Sequence, residues 1–328
     1  MHAGITGVGH FVPEQRLTNR DLEKMVETSD EWITTRTGIK ERRILEKAKG
    51  TSYMAIKAAE MILEQRKISA EELDLILFAT VTPDRFVPPA AAIVQNELHA
   101  SNAWGFDING ACSGFACALS TGAQFVEAGT HKKVLVIGAD KMSSIIDYKD
   151  RNTCVLFGDG GGAVLLEPVD DDFGIMDHIL HLDGSGADHL CISAGGSLRP
   201  ASLNTVNNRM HYLYQNGRTV FKHAVTGMAD VSERLLKKNN LTSKDIKLFI
   251  PHQANYRIIE AVAQRVGLKP EQVFLNIQKY GNTTAGTLPI AMSEAYHDKL
   301  LQRGDWVLLS AFGAGFTWGS LLVKWVLD

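Results

Sequence analysis

One order of secondary-structure signals occurs twice along this chain, and the repetition narrows the fold more than any other feature. Residues 73–80 read as a buried strand, 90–98 as a helix, 104–108 as a strand, 112–128 as a small-residue helix and 133–139 as another strand. The second half returns to the same order: a strand at 246–251, a helix at 255–266, a strand at 273–277, a helix at 281–296 and a strand at 306–311. Each half closes in a hairpin-like pair, 154–157 with 163–166 and 306–310 with 319–324. Alternating β and α predicts parallel βαβ units, and their recurrence predicts a duplicated α/β body. The division is expected in the turn-forming stretch 168–174, which carries Asp170, Asp171 and Asp172, giving halves of 1–170 and 171–328. In such a body the carboxyl ends of strands from both halves converge on one ligand site.

Composition removes other classes. At 328 residues the chain exceeds what one core usually organises, and 45% hydrophobic with 22% charged content is that of an ordinary globular enzyme. No apolar run approaches the roughly 18 residues that suggest a membrane span. With 34 Lys plus Arg against 37 Asp plus Glu, a net charge of -3 gives no overall footprint for nucleic acid, so any basic site is local. Residues 1–9 lack a cationic, apolar leader pattern, and a cytoplasmic location is expected. Cys112, Cys117, Cys154 and Cys191 form no C-x-x-C pair, and His178 with His181 lacks the partners of a zinc site, so no metal is expected.

Four segments carry chemistry. In Asp107-Ile-Asn-Gly-Ala-Cys-Ser-Gly-Phe115, Cys112 stands between a strand end and a helix start, where backbone N–H groups and the helix dipole are expected to lower a thiol's pKa. In Phe249-Ile-Pro-His-Gln-Ala-Asn255, His252 follows a strand and can donate to developing negative charge or exchange a proton. In Tyr280-Gly-Asn-Thr-Thr-Ala-Gly-Thr287, Asn282 is placed at the duplicate of the Cys112 position, as a helix N-cap or as an N–H donor to an oxyanion. The glycine-rich turn in 310–319 offers backbone N–H groups to the same oxyanion. Gly158-Asp-Gly-Gly-Gly-Ala163 matches G-x-G-x-x-A loosely, but a strand pattern follows it, so a dinucleotide site is rejected.

Ala111-Cys-Ser-Gly114, Pro251-His-Gln-Ala-Asn255 and Tyr280-Gly-Asn-Thr284, in this order, resemble the β-ketoacyl-acyl-carrier-protein synthase III family over essentially the whole chain. The resemblance extends to 30–39, 157–160 and 316–320. It implies the thiolase-like duplicated five-layer αβαβα fold. It also implies decarboxylating condensation of an acyl-CoA primer with malonyl-acyl-carrier protein, initiating fatty-acid synthesis, with acyl-CoA as a substrate and no cofactor. Cys112 matches the family's acylated nucleophile, His252 and Asn282 the donors to the malonyl thioester oxygen, and Phe312 a phenylalanine between them. The 313–315 turn, with Ala314 where many relatives have Gly, completes the oxyanion hole. Trp32, Arg36 and Arg151 match CoA-binding residues. Gln253, Ala254, Asn255, Tyr256 and Arg257 match the carrier-protein contact, with Lys222 as a second one. A homodimer is implied, in which Val87, smaller than the aromatic of acetyl-selective relatives, reaches the partner's acyl pocket and leaves room for longer or branched primers. A secondary-metabolite condensing enzyme or acyltransferase of the same fold is the alternative. A non-catalytic scaffold would be expected to erode the Cys, His and Asn that this chain retains.

Overall fold

The computed structural model describes residues 2–328. Two sheets carry the repeat. The first has five strands in the order His2–Phe11, Asp159–Val169, Val134–Lys141, Leu75–Ala79, Trp104–Ile108; the second has four, Ile246–Pro251, Trp306–Gly313, Thr317–Lys324, Gly174–Leu182. Leu75–Ala79 runs parallel to Val134–Lys141, which is antiparallel to Asp159–Val169, itself antiparallel to His2–Phe11. The second sheet repeats that pattern strand for strand, from the parallel pair at Ile246–Pro251 to the antiparallel pairing with Gly174–Leu182.

Strand side chains alternate between the two faces of a sheet, and here both faces are covered, which is why the strands read as continuous apolar runs. Leu75, Leu77 and Ala79 face a central core with Leu248, Ile250, Val307 and Leu309 from the other sheet. Between them lie the helices Gly114–Glu127 and Thr287–His297, which supply Phe115, Leu119, Leu288 and Met292. Ile76, Phe78, Leu135 and Ile137 turn outward onto the helices Thr51–Arg66 and Ala90–Glu97. Phe249, Leu308 and Leu322 turn outward onto Gly217–Lys238 and Tyr256–Val266. The result is the expected five-layer αβαβα arrangement. No helix among the described residues is long and apolar enough to cross a membrane.

Three expectations are corrected. Residues 273–277 are not a strand: Val273 makes one isolated parallel bridge to Phe249, and a helical turn, Ile277–Tyr280, follows at once. Residues 154–157 are not one either. Arg151–Cys154 is helical, and the true partner of Val134–Lys141 is the long strand Asp159–Val169. Finally, Asn282 is not the duplicate of Cys112. Ala111 and Thr284 both adopt left-handed φ, 46° and 53°, and each opens a 3₁₀ turn, Ala111–Ser113 and Thr284–Gly286, that runs into a central helix. In that register Cys112 corresponds to Ala285, and Asn282 corresponds to Asn109.

Candidate active site

Cys112 is 7% exposed and lies at the head of the helix Gly114–Glu127, after the strand Trp104–Ile108. It faces a cavity of about 740 Å³ that His252, Asn282, Phe312 and Ala314 also line. Gly313, the last residue of Trp306–Gly313, presses on the Cys112 backbone: a Cβ there would stand 2.8 Å from Cys112 N and 2.9 Å from Ser113 N. Only glycine permits that approach, and it sets Ala314 beside the sulfur's side of the cavity. Phe312, buried at 4% exposure, is fixed by Phe316 and Trp318, with ring centroids 5.0 and 6.2 Å away.

The thiol corrects the sequence-based expectation. Burial pushes Cys112 up to about 12, the buried Asp140 carboxylate adds to the rise, and the polar groups near the sulfur, its own backbone N–H and the side chains of Asn282 and Thr284, only partly offset it. A helix-start position predicts the opposite because it counts the dipole and leaves out desolvation. Asp140 itself accepts from five donors: Thr80 Oγ1, Thr82 Oγ1 and the N–H groups of Val81, Thr82 and Ala285. These work against the burial that pushes its carboxyl up to about 6. Asp140 thereby ties the end of Leu75–Ala79 to the turn that follows Asn282.

Asn282 is held at both ends. Its backbone N–H donates to Leu156 O at 2.9 Å and its carbonyl accepts from Gly158 N at 3.0 Å, so the 156–158 segment of the first half carries the asparagine of the second. Thr284 N–H donates to Asn282 Oδ1 at 2.8 Å. With the carbonyl end so occupied, the amide's NH₂ end is the one free to donate. The N-cap expectation is corrected: Thr283 and Gly286 precede the 3₁₀ turn and the helix, neither with a side-chain cap bond, and Asn282 Oδ1 closes only a local turn onto Thr284 N–H.

His252 follows Ile246–Pro251, is 3% exposed, and its Nδ1 lies 2.6 Å from Thr287 Oγ1. Burial alone pushes the ring down to about 3, so it is neutral at physiological pH. Thr287 was not among the residues singled out from the sequence, and only its place five residues after Asn282 at a helix start could have suggested it.

Gln253 is also corrected. It is 1% exposed, and its amide donates to Pro251 O and Phe274 O while its oxygen accepts from the N–H groups of Asn276 and Ile277. Four bonds inside the molecule leave it no part in a surface contact. It joins the His252 strand end to the segment leading to Asn282. Gln253→Ala is expected to cost about 2–4 kcal/mol, since two buried N–H groups lose their acceptor; a thermal melt that does not move would refute this. The neighbouring face is open: Tyr256 and Arg257 are exposed at the start of Tyr256–Val266, which Asn255 caps, and Lys222 is exposed on Gly217–Lys238.

At the cavity mouth stand Trp32 and Arg36. The Arg151 guanidinium sits 4.3 Å above the Trp32 ring, a direct stack with no space between for a third planar group. Val87 is 83% exposed, away from the lining of its own chain's cavity.

A duplicated five-layer body with a buried cysteine, a neutral histidine and an asparagine amide at one cavity defines a thiolase-fold condensing enzyme, one that transfers acyl groups. Residues 106–184 match the family described as 3-Oxoacyl-[acyl-carrier-protein (ACP)] synthase III, and 236–325 match its C-terminal region. The Beta-ketoacyl-[acyl-carrier-protein] synthase III of Chlorobaculum tepidum is 53% identical, with 99% of this chain and 100% of that protein covered. That of Solibacter usitatus is 54% identical, with 98% of each chain covered. The crystal structure of 3-oxoacyl-[acyl-carrier-protein] synthase III from Aquifex aeolicus superposes with a TM-score of 0.91 at 44% identity, covering 98% of this chain and 100% of that one. The chain belongs to the β-ketoacyl-acyl-carrier-protein synthase III family and is an acyltransferase of fatty-acid synthesis.

Proposed function

We propose that this chain joins an acyl-CoA primer to malonyl-acyl-carrier protein through an acyl-Cys112 intermediate. The observation that supports it best is the convergence of Cys112, His252 and Asn282 on one cavity, with the Asn282 carbonyl end bound to Thr284 N–H and its NH₂ end free to donate. The nucleophile belongs to the half 1–170, and His252 and Asn282 to the half 171–328. In the first half-reaction the sulfur attacks the acyl-CoA carbonyl, the carbon–sulfur bond to CoA breaks, and the thiol proton ends on the departing CoA sulfur. Backbone N–H groups of Cys112 and of the 313–315 turn hold the oxyanion. In the second, His252 and Asn282 donate to the malonyl thioester oxygen while the carboxylate leaves as carbon dioxide, and the resulting enolate carbon attacks the acyl carbon of acyl-Cys112; the carbon–sulfur bond to Cys112 breaks as the carbon–carbon bond forms, and the released thiolate takes up a proton from water. Every role falls to protein groups and substrates, so the reading calls on no cofactor.

CoA entry separates the Trp32–Arg151 stack and places the adenine there, with Arg36 toward the phosphates. Arg257 and Lys222 form the basic patch for the acidic carrier protein, beside Asn255 and Tyr256. A second copy of the chain supplies Val87 to the acyl pocket, which favours primers longer or more branched than acetyl. The enzyme is assigned to the cytoplasm.

The test is one reaction series: intact mass after exposure to a panel of acyl-CoAs, then addition of malonyl-carrier protein and identification of the product. Arg257→Glu is expected to raise KM for malonyl-carrier protein by at least about tenfold while changing KM for acyl-CoA by less than about threefold. Equal losses toward both substrates would remove Arg257 from the carrier contact.

A further inference from the structure

The shortest polar contact of the His252 ring is to a group outside the trio. Thr287 Oγ1 lies 2.6 Å from His252 Nδ1, and both residues are 3% exposed. The hydroxyl has one proton and two acceptors in reach, Nδ1 and Thr284 O, the latter at 3.1 Å. Thr284 O already accepts the backbone N–H of Thr287. Two arrangements satisfy these atoms: Nδ1–H donating to Oγ1 while the hydroxyl donates to Thr284 O, or the hydroxyl donating to Nδ1 along the shorter contact. Only the second leaves a lone pair on Nδ1 and the proton of the neutral imidazole on Nε2, from which the ring can donate to a substrate.

We propose that Thr287 is a positioning residue for the condensation: its hydroxyl donates to His252 Nδ1 and so holds the imidazole with its proton on Nε2, as a neutral donor to the malonyl thioester oxygen. The inference deepens the assignment of His252 to decarboxylation and rests on it. A carboxylate in the same place would accept only; it would draw the proton to Nδ1, leave Nε2 bare, and favour an imidazolium. A base is what acyl transfer from an activated serine needs, whereas decarboxylation needs a donor where enolate charge appears. A hydroxyl is the partner that supplies the second without adding charge to a buried site. Thr287 opens the helix Thr287–His297, so its hydroxyl is set by backbone that the central core holds in place. No bond is made or broken by Thr287 in the cycle. Its proton stays on its oxygen, and the ring's proton stays on Nε2 as the carbon dioxide departs.

The test compares Thr287→Val with Thr287→Ser, each alone and combined with His252→Ala, and follows the half-reactions separately. Loss of the hydroxyl is expected to lower the rate of malonyl-carrier-protein decarboxylation at saturation by about tenfold, with KM and the rate of Cys112 acylation within about threefold of the parent. Serine restores the rate. With His252→Ala already present, Val is expected to make no further difference, because Thr287 acts only through the ring. ¹⁵N shifts of labelled histidine should show Nε2 protonated and Nδ1 bare in the parent enzyme. Thr287→Ala, which also lacks the hydroxyl, gives the same comparison if the Val variant does not fold. Decarboxylation at the parent rate in the Val variant, while His252→Ala is impaired, would overturn the Thr287 proposal alone. So would a Val effect of equal size with and without His252, or a ring protonated at Nδ1. Normal decarboxylation by His252→Ala would take down the assignment of His252 and this proposal with it.

Discussion

Cys112→Ala should leave no acyl adduct by intact mass with any primer and should reduce condensation by at least about 10³-fold. In the proposed reaction the sulfur accepts the primer, and the other thiols have other settings: Cys117 lies in the helix Gly114–Glu127 that follows, Cys154 is buried in the cluster around Leu22 and Ile33, and Cys191, which lines the same cavity, stands on the strand Leu190–Ile192 and not at a helix start. Decarboxylation of malonyl-carrier protein by the same variant should persist within about tenfold, because its donors, His252 and Asn282, are held by Thr287, Thr284 and the 156–158 segment rather than by the sulfur. An acyl adduct that survives the substitution would move the nucleophile to another residue. Parallel loss of both activities would mean that the sulfur also shapes the donor site.

Asn282→Ala and His252→Ala should show the reverse division. Both are expected to acylate within about threefold of the parent and to lose about 10²–10³-fold in decarboxylation, the usual cost of one donor to a developing oxyanion. The asparagine's backbone bonds to Leu156 and Gly158 do not involve its side chain and survive truncation, which removes only the acceptor of the Thr284 N–H. The pH profile adds a check. Burial pushes the His252 ring down to about 3, below its ordinary value of 6.5, so the neutral form is fully present above about pH 5 and is lost only as pH falls toward 3. Decarboxylation should therefore show no limb from this group between about pH 5 and 8. A rise in rate on acidification through pH 6.5 would mean that the imidazolium is the active donor.

Much of this was legible in the sequence, for physical reasons that can be assigned. Strands covered on both faces, such as 73–80 and 246–251, announce themselves as unbroken apolar runs, and helices such as 255–266 by the helical spacing of their apolar residues. Cys112 and His252 follow strand ends, where topology predicts a site, whereas Asn282 follows the helical turn Ile277–Tyr280. Residues 273–277 failed because composition reports burial, whereas a strand also needs a partner, and Val273 finds only one bridge. Residues 154–157 failed because their contact is to Asn282, far along the chain. The misplaced equivalence of Cys112 with Asn282 came from matching the two helix starts; the left-handed turns at Ala111 and Thr284 set the true register, and φ is not written in a pattern of residue types. The thiol's raised pKa and the burial of Gln253 share one cause. Desolvation depends on what the other half of the chain lays over a residue.

The two central helices carry a consequence for how the molecule comes into being. Gly114–Glu127 and Thr287–His297 share the layer between the sheets, and their cluster mixes Phe115 and Leu119 with Leu288 and Met292. Neither sheet has its inner face covered until both helices are present, so a ribosome that has released only the first half holds an unfinished surface of Leu, Val and Phe. Cooperative closure waits for the second half. Tethering the two in one polypeptide makes that closure unimolecular, at an effective concentration no pair of separate fragments would reach in a dilute cell.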